Sequence, residues 1–309
     1  MNKTCPICNH TEFKSALQCI DHYVSGENFE IIECTHCGMK ITNDFPPENA
    51  IGKYYEAEDY ISHSDTKKGL VNSLYHFVRQ RMLKKKAGWV ESASGIEKGK
   101  ILDVGAGTGY FAGAMKERGW DVSIVEQSDE ARKFAESNFN LQGFSSIKEY
   151  TENKQSIGEK SQDVITLWHV LEHLEHLNES MDQFYKLLRP GGTLVIAVPN
   201  CSSYDAKIYK NLWAAYDVPR HLWHFTSKQM EILTKKHGFT LTETKKMPFD
   251  AFYISMMSEK YARNPLPFVK GFWTGLCGFF FSIFDKNNSS SLVYILRKEE
   301  KVRNFISTK

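Results

Sequence analysis

The stretch ILDVGAGTGYF, residues 101–111, runs from aliphatic residues into Asp103 and then into three glycines within five positions. The residues that follow, AGAMKERGW, suit a helix, whereas the residues before the glycines suit a strand. A strand, a glycine turn and a helix in this order bring unpaired backbone N–H groups close to a ligand. The stretch therefore predicts a ligand-binding loop at the end of a strand.

The alternation of strands and helices continues along the chain. Strand-like DVSIVEQ, DVITLWH and TLVIAVPN are separated by helix-like segments, and SLVYILRK is a late strand. Units of this length predict an α/β protein with a Rossmann-like, doubly wound sheet that carries helices on both faces. We divide the chain into a small module at 1–45, a connector with a helix at 46–98, and a main domain at 99–309 with an apolar insertion at 248–290.

The glycines alone do not identify the ligand, because GTGYFA also satisfies the dinucleotide-binding pattern G-x-G-x-x-A. Asp103 argues against a dinucleotide, since a carboxylate at this place would repel a diphosphate. It would instead attract the ammonium group of an amino-acid ligand. Glu126 ends the next strand, 21 positions after Gly105, where an acid can accept hydrogen bonds from both ribose hydroxyls. A ligand with an amino-acid end and a ribose end is S-adenosylmethionine. The alternative is a turn residue at Asp103 and a surface acid at Glu126.

Four motifs, ILDVGAGTGYF, VSIVEQS, DVITLWHVLEHLEH and LLRPGGTLVIAVPN, together resemble those of the class I S-adenosylmethionine-dependent methyltransferases. The resemblance is to the small-molecule branch that includes ubiquinone-pathway O-methyltransferases, and it covers about residues 99–247 and 292–298. It implies a seven-stranded sheet of order 3-2-1-4-5-7-6 with an antiparallel last strand. The predicted cofactor-binding residues are Asp103, Gly105, Ala106, Gly107, Gly109, Tyr110, Phe111, Glu126, Gln127, Trp168 and His169.

The segment WHVLEH, residues 168–173, should lie in the cleft, because it follows the strand DVITL at the C-terminal edge of the sheet. An E-x-x-E-H in quinone-pathway relatives is similar to His169, Glu172 and His173, and a divalent metal at these three residues is one hypothesis. In the other, Trp168 and His169 line the cofactor pocket while Glu172 and His173 form hydrogen bonds. The metalloprotease pattern H-x-x-E-H is rejected, since it requires a helix and the preceding residues are strand-like.

The segment YDVPRHLWHF, residues 216–225, contains two histidines and an arginine among aromatic residues. Methyl transfer from a sulfonium is an in-line displacement, which needs a positioned acceptor and, for a hydroxyl, a base. His221 or His224 is the predicted base, His169 is a third catalytic candidate, and Arg220 could hold an acidic group of the acceptor. The alternative is a loop whose polar side chains bond nearby carbonyls.

The segment YYEAEDYISH, residues 54–63, looks like the part of relatives that covers the cofactor. Tyr55, Tyr60 and His63 are the candidates for this lid, and a packing role is the alternative.

Cys5, Cys8, Cys34 and Cys37 have the spacing C-x2-C-x25-C-x2-C, and Gly38 follows the second pair. Two close thiolate pairs suit a tetrahedral zinc ion, and four protein ligands leave no open position, so the predicted zinc is structural. A redox role for C-P-I-C would explain neither the second pair nor the glycine. A similar zinc module occurs in several small-molecule methyltransferases.

The segment LPFVKGFWTGLCGFFFSIF, residues 266–284, has 19 residues and one charge, at Lys270. It is nearly long enough to span a membrane, but it contains three glycines and lies between two strands of one sheet. It is therefore interpreted as part of an insertion that covers the acceptor pocket, rests on a membrane surface, or is buried in the protein.

The overall composition excludes few functions. The 39 basic residues nearly cancel the 37 acidic residues, so a net charge of +2 gives no general attraction to nucleic acid. The N-terminus MNKTCPICNH has no apolar leader pattern, which predicts a cytoplasmic location, with membrane association if residues 266–284 rest on a bilayer. The expected function is methylation of an oxygen or carbon of a small-molecule acceptor. The alternative is a zinc-ribbon adaptor whose Rossmann domain senses a nucleotide without catalysis.

Overall fold

The computed structural model describes residues 3–55, 70–153 and 160–299. The strands are β1 Phe13–Ile20, β2 Asn28–Cys34, β3 Lys40–Thr42, β4 Lys100–Val104, β5 Asp121–Val125, β6 Gln142–Phe144, β7 Gln162–Trp168, β8 Leu188–Pro199, β9 Trp223–His224, β10 Phe239–Lys246 and β11 Ser291–Lys298. The α-helices are α1 Glu48–Ile51, α2 Leu70–Ser94, α3 Tyr110–Glu117, α4 Asp129–Phe139, α5 Ile147–Glu152, α6 Leu177–Leu187, α7 Tyr204–Tyr209, α8 Ser227–Lys236, α9 Asp250–Tyr261 and α10 Pro267–Phe284.

Seven strands form the main sheet in the spatial order β6-β5-β4-β7-β8-β11-β10. The first five of these are parallel to one another, whereas β11 is antiparallel to both β8 and β10. This order is the predicted 3-2-1-4-5-7-6, and the predicted α/β fold class is confirmed. The C-terminal ends of β4, β5 and β7 meet at one edge, which is where a doubly wound sheet binds ligands.

The central strands are buried on both faces, as strands of a parallel sheet covered by helices must be. Ile101, Leu102, Val164 and Ile165 are at most 1% exposed. Leu102 and Ile165 belong to a core layer with α6 and α8, whereas Ile101 and Val164 belong to the opposite layer with α2 and α3. The continuous aliphatic runs of β4 and β7 thus fill two cores at once and fix the strand ends.

The N-terminal module is joined to the main domain through a second sheet of order β1-β2-β3-β9. In this sheet β3 pairs with β9, with Lys40 opposite His224 and Ile41 opposite Trp223. Side chains of the module, among them Ile7 and Met39, also belong to the core layer that contains α6 and α8. Residues 223–224 of the main domain therefore complete the sheet of the module.

Helices α9 and α10 occupy the insertion between β10 and β11, and they pack closely through glycines. A Cβ atom at Gly271 would lie 2.5 Å from Cα of Met256, and one at Gly275 would lie 2.7 Å from Cα of Phe252. The opposite side of α10 is exposed, since 22% of the helix is buried. The interpretation that buries residues 266–284 in the core is therefore wrong, because only the glycines and Ser282 of this helix are buried.

Candidate active site

The three glycines of the loop between β4 and α3 have left-handed backbones, with φ values of 66° at Gly105, 54° at Gly107 and 77° at Gly109. A Cβ atom at Gly105 would lie 2.4 Å from Val170 Cγ2, and one at Gly109 would lie 2.6 Å from Ala135 Cβ. At Gly107 no described atom would lie within 4 Å of such a Cβ. Two glycines are thus required for packing, and Gly107 faces open space where a ligand can approach the backbone.

The Glu126 carboxylate holds this loop in place. Its Oε2 accepts a hydrogen bond from Gly107 N at 2.7 Å, and its Oε1 accepts one from Ser128 N at 2.9 Å. A carboxylate has about four lone-pair positions, so two further hydrogen bonds remain possible. The position fits the predicted contact with two ribose hydroxyls, and it also gives Glu126 a role in ordering the loop. Gln127 follows it and is exposed.

Asp103 lies at the end of β4, opposite Thr166 of β7, and is 1% exposed. Thr166 Oγ1 donates a hydrogen bond of 2.6 Å to its Oδ1, whereas Oδ2 receives none from any described residue. Burial raises the pKa of Asp103 to about 7, against the opposing effects of Thr166 and Lys86. An orphaned, buried carboxylate oxygen fits the ammonium group of S-adenosylmethionine, because that cation would supply the missing partner.

Aromatic rings form the wall beside Asp103. Phe111 is buried and contacts the Trp168 ring edge-on at a centroid distance of 5.1 Å. Nζ of Lys86 lies 4.4 Å from the Trp168 ring centroid, and burial lowers the pKa of Lys86 although Asp250 and Asp103 oppose this effect. Lys86 follows two other lysines in the sequence, and the run of three does not indicate which side chain faces inward. Its place in α2, whose apolar face packs on the sheet, was the available signal.

Tyr110 and Ala106 complete the predicted cofactor contacts around the loop. Tyr110 begins α3, packs edge-on against Phe139 at 5.4 Å, and lies under the guanidinium of Arg79 at 4.0 Å. Ala106 N donates a hydrogen bond of 3.2 Å to Val125 O, which links the loop to β5. Contacts of any of these residues with a cofactor stay predictions.

His169 follows β7 with a left-handed φ of 60° and lies between two carboxylates. Its Nδ1 is 3.5 Å from Glu172 Oε1, and its Nε2 is 3.2 Å from Asp250 Oδ2. Burial alone would lower the pKa of His169, but the two carboxylates outweigh this effect and raise the pKa to about 9. A histidine that is already protonated at neutral pH is no proton acceptor, so the structure argues against His169 as the base. Asp250 was not anticipated, because 81 positions separate it from His169.

Glu172, His173 and His221 form a second buried cluster, in which one ligand atom of each lies within 4.8 Å of the others. Neither carboxylate oxygen of Glu172 receives a hydrogen bond from the described part of the chain, although the residue is fully buried. His173 Nδ1 lies 3.0 Å from Arg220 O, and His221 Nδ1 lies 2.9 Å from Ala215 O. A carbonyl only accepts, so both Nδ1 atoms are the donors and the lone pair of each neutral ring is on Nε2.

This cluster corrects the predicted metal set. Its third member is His221, whereas His169 is engaged with Asp250. Burial lowers the pKa of His173 to about 4, and the neighbouring His221 adds to this effect, so His173 stays neutral. His221 Nε2 is 3.9 Å from Asp217 Oδ2, so a proton on His221 would face a carboxylate.

His224 and Arg220 are placed differently from the prediction. His224 lies in β9, is 4% exposed, and its Nε2 contacts Thr42 Oγ1 at 3.0 Å; burial lowers its pKa well below the usual value. Arg220 is 1% exposed and donates to Asp21 Oδ1 at 2.9 Å, to Asp217 Oδ1 at 2.6 Å and to Tyr54 O at 2.8 Å. Both side chains thus serve contacts between segments of the protein. The structure therefore argues against His224 as the base and against Arg220 as an acceptor ligand.

Of the three predicted lid residues, Tyr55 lies beside the cluster, with its hydroxyl 3.1 Å from His173 Nδ1. Burial raises the pKa of this tyrosine. Tyr60 and His63 lie outside the described residues, so the lid stays a prediction.

The four predicted zinc ligands converge in the N-terminal module, where Cys37 O accepts a hydrogen bond from Gln229 of α8. Their sulfur atoms lie within 4.8 Å of one another, with Cys5 Sγ 3.5 Å from Cys37 Sγ and Cys8 Sγ 3.6 Å from Cys34 Sγ. Tetrahedral coordination with Zn–S bonds of about 2.3 Å requires sulfur atoms about 3.8 Å apart, which these distances approach. Asn9 and Gly38 follow the two pairs with left-handed φ values of 62° and 76°, so the two turns are alike. The thiols present fit a zinc ion.

The protein family described as methyltransferase domain matches residues 76–244, which is more than half of the chain. The chain therefore belongs to this family, and the resemblance to class I S-adenosylmethionine-dependent methyltransferases of the small-molecule branch is confirmed. The match begins in α2 and ends in β10, so it includes the glycine loop, Asp103 and both histidine sites.

Curated relatives include the ubiquinone biosynthesis O-methyltransferases of Azoarcus sp. (strain BH72) and Actinobacillus pleuropneumoniae serotype 5b (strain L20). The first is 25% identical over 130 residues, covering 41% of this chain and 55% of the relative. The second is 30% identical over 116 residues, covering 36% of this chain and 50% of the relative. The chain thus spans about half the length of the curated relatives it matches.

Solved structures with a similar fold include two other methyltransferases. Haemonchus contortus phosphoethanolamine N-methyltransferase 2, in complex with S-adenosyl-L-methionine, has a TM-score of 0.46 and 18% identity, covering 70% of this chain and 53% of that chain. Burkholderia thailandensis 1,6-didemethyltoxoflavin-N1-methyltransferase has a TM-score of 0.46 and 17% identity, covering 87% of this chain and 99% of that chain.

The first prediction concerns Asp103. Because its pKa is raised to about 7, cofactor binding at lower pH must first remove a proton from the carboxyl. We expect the affinity for S-adenosylhomocysteine, measured by calorimetry, to weaken as the pH falls below about 7. Asp103→Asn should bind about 10- to 100-fold more weakly, the worth of a charge-assisted hydrogen bond, and should show a flatter pH dependence. The matched control is Asp121→Asn, an exposed acid at the start of β5. Unchanged binding by Asp103→Asn would contradict the assignment.

The second prediction concerns the protonation of His169. Its pKa in the folded protein, about 9, exceeds the unfolded value of about 6.5. The ionic contacts therefore stabilise the fold fully below the unfolded value, and this contribution is lost as the pH rises through about 9. NMR titration should show the raised pKa, and Asp250→Asn should lower it. The stability advantage of the wild type over Asp250→Asn in urea unfolding should shrink with rising pH. A titration near the ordinary histidine pKa would contradict this arrangement, with the exposed His176 as the internal reference.

Proposed function

We propose that this protein transfers the methyl group of S-adenosylmethionine to a hydroxyl of a small lipophilic molecule, with His221 as the base. The observation that carries the proposal is the orphaned Oδ2 of Asp103 beside an open glycine loop, at the same strand edge as a buried histidine pair. The hydroxyl acceptor is supported by the curated relatives, which are O-methyltransferases of ubiquinone biosynthesis. The aromatic wall of Phe111, Tyr110 and Trp168 supports a small-molecule pocket.

The cofactor would be held by three groups of the chain. Asp103 Oδ2 would accept from the ammonium group, Glu126 would use its remaining lone pairs for the ribose hydroxyls, and Gly107 would permit close approach to the backbone. Lys86, which lies over Trp168, could pair with the carboxylate of the amino-acid end. When bound, S-adenosylmethionine supplies an electrophilic methyl group on a sulfonium.

The chemical step requires one proton acceptor. Nε2 of His221 would take the hydroxyl proton of the acceptor, whose oxygen would receive the methyl group that the cofactor supplies, with the S–CH3 electron pair remaining on sulfur. Nδ1 of His221 is fixed as a donor by Ala215 O, so Nε2 has the lone pair, and Asp217 Oδ2 at 3.9 Å stabilises the imidazolium that forms. Apart from this base, in-line attack needs only groups that position the two reactants.

The third prediction tests this base. Extracts fractionated into lipid and aqueous pools are incubated with methyl-labelled cofactor, and label should enter a lipid-soluble product. His221→Ala should lower the rate about 100-fold or more while S-adenosylhomocysteine binding persists. His176→Ala, an exposed histidine, is the matched control. Label only in water-soluble products would contradict the lipophilic acceptor. Tight binding of NAD instead of S-adenosylhomocysteine, with no labelled product, would favour the nucleotide-sensing adaptor.

The cluster around His221 supports a second role, because the Glu172 carboxylate receives no hydrogen bond from the described residues and could share a metal ion with the Nε2 lone pairs of His173 and His221. Two imidazole nitrogens and a carboxylate form a donor set that suits a divalent transition metal. The two roles are separable by metal content, because the four-cysteine cluster is a second possible metal site. A metal at these residues predicts two metals per chain, with one of them lost in Glu172→Gln, whereas one metal per chain in both wild type and Glu172→Gln supports His221 as base without a metal.

We propose further that the four-cysteine cluster binds one structural zinc ion. The support is the convergence of four thiols in two turns of the same form, with Cys5, Cys34 and Cys37 buried. Cys19, also buried, lies in a different cluster with Phe29 and Trp213, and so stays a packing residue.

The fourth prediction is one zinc per chain in protein prepared without chelator, measured by metal analysis. Cys34→Ser should lose the metal and lower the midpoint of thermal unfolding, because binding free energy of a structural zinc is folding free energy. Cys277→Ser, at a partly exposed thiol of α10, is the matched control. Absence of metal, or a Cys34→Ser protein that unfolds like the wild type, would overturn the proposal.

A further inference from the structure

Helix α10 exposes a row of large apolar side chains along its whole length. Eight of them are between 46% and 78% exposed: Phe268, Val269, Phe272, Trp273, Phe280, Phe281, Ile283 and Phe284. Neighbouring segments extend the surface, since Leu266 is 63%, Tyr253 of α9 is 59% and Ile208 of α7 is 52% exposed. Isolated apolar residues are normal on protein surfaces, but a contiguous patch of this kind marks an interaction site. We call these residues the α10 face.

The position of the α10 face is fixed by the fold, because the glycine side of the same helix packs closely against α9 and α7. Gly271, Gly275 and Gly278 are buried toward α9 and α7, and Tyr204 of α7 stacks on Phe281 with ring centroids 5.0 Å apart. The buried glycines thus fix the helix against α9 and α7, while most of the large apolar side chains point away from this contact. A loosely attached segment could fold its apolar residues inward, but this helix cannot without losing its glycine contacts.

Charges around the α10 face are almost all positive. From residue 250 to residue 288 the exposed ionisable residues are Lys260, Arg263, Lys270, Asp285 and Lys286. Lys207 and Lys210 are exposed beside Ile208. The two remaining acids of α9 face inward, since Asp250 contacts His169 and Glu259 is fully buried with Tyr209, Asn264 and Lys270 as partners.

An apolar helix face with a basic border is complementary to a bilayer that contains anionic lipids, because the rings enter the interface while the cations meet the headgroups. A second copy of the chain is a poorer occupant, since a two-fold contact through α10 would bring the basic borders of both copies together. We propose that the α10 face is a peripheral membrane-docking surface for anionic bilayers. This proposal is independent of the reaction assigned above.

The helix lies on the membrane and does not cross it. Among the described residues, α10 is the one helix long and apolar enough to span a bilayer by length and composition. However, β10 before it and β11 after it pair with each other in the same sheet. Both ends of the α9–α10 pair therefore stay on one side, and Asp250 at the start of α9 keeps its contact with His169. Docking would thus place a bilayer next to the cleft where His169 lies.

The proposal is tested by vesicle flotation of the full chain. The probes are phosphatidylcholine vesicles and mixed vesicles of phosphatidylcholine and phosphatidylglycerol. The protein should float with the mixed vesicles and only weakly with phosphatidylcholine alone. Trp273→Asp and Phe280→Asp should each abolish flotation, whereas Val24→Asp, at an apolar residue of the N-terminal module with 38% exposure, should not.

Charge reversal separates the basic border from the apolar face. Each Lys or Arg near an anionic surface is worth about fivefold in affinity, so Lys260→Glu with Arg263→Glu and Lys286→Glu should weaken binding to mixed vesicles more than about tenfold. Reversal of three exposed lysines elsewhere, Lys148, Lys186 and Lys228, is the matched control. Folding of each variant is checked by its circular dichroism and its affinity for S-adenosylhomocysteine.

Tryptophan fluorescence gives an independent readout of membrane docking in the wild-type protein. Trp273 is 60% exposed, whereas Trp120, Trp213 and Trp223 are buried. Mixed vesicles should shift the wild-type emission to shorter wavelength, and Trp273→Phe should lose this shift while it still floats. Failure to float with either vesicle, or flotation that survives both aspartate variants, would overturn the proposal. A dimer that Trp273→Asp converts to a monomer, without vesicle binding, would assign the α10 face to a second copy instead.

Discussion

The buried guanidinium of Arg220 is the contact on which the site depends most. It joins three separate segments: Asp21 in the turn after β1, the carbonyl of Tyr54 in the connector, and Asp217 in its own loop. The Arg220 guanidinium is 1% exposed, and a buried charge of this kind is tolerated only where its N–H groups have hydrogen-bond acceptors. Removal of one partner from a buried ion pair costs about 3–5 kcal/mol of folding free energy. The Arg220 carbonyl receives Nδ1–H of His173, and the next residue is His221. The tautomer of His173 therefore follows from how Arg220 is held, and the position of His221 depends on the loop that Arg220 anchors.

This arrangement makes the cysteine module part of the site, although the four thiols belong to a different segment. Thr42 of β3 donates to His221 O at 2.6 Å and contacts His224 Nε2, and β3 pairs with β9. Asp21 is itself ordered by the backbone N–H groups of Tyr23, Val24 and Ser25. A metal that closes the two cysteine turns would thus stabilise the strands to which residues 217–224 are attached. The module contributes no reacting group, and its effect on chemistry would pass through the position of His221.

The sequence permits prediction where a feature depends on local pattern. Aliphatic runs, glycine spacing and paired cysteines each lie within a few residues, and they predicted the α/β fold class, the loop and the four convergent thiols, whereas the strand order was implied by the resemblance to class I methyltransferases. Features formed by residues distant in sequence were missed or misassigned. Asp250 reaches His169 from an insertion, Lys86 reaches Trp168 from the connector helix, and His221, not His169, joins Glu172 and His173. The sequence YDVPRHLWHF does not show that His224 lies in a strand while His221 lies beside the carboxylate of Asp217.

The two histidine sites differ in protonation because their partners differ. His169 lies between Glu172 and Asp250 and keeps its proton, whereas burial lowers the pKa of His173 to about 4, and its Nδ1–H is donated to the uncharged carbonyl of Arg220. Four carboxyl groups at this edge of the sheet, those of Asp103, Glu126, Glu172 and Asp250, thus outnumber the two cationic side chains, Lys86 and His169. S-Adenosylmethionine has a net charge of about +1, and its demethylated product is neutral overall. If these residues bind the cofactor as proposed above, the excess of carboxyl groups would attract it more strongly than the neutral product, which would favour exchange of product for fresh cofactor.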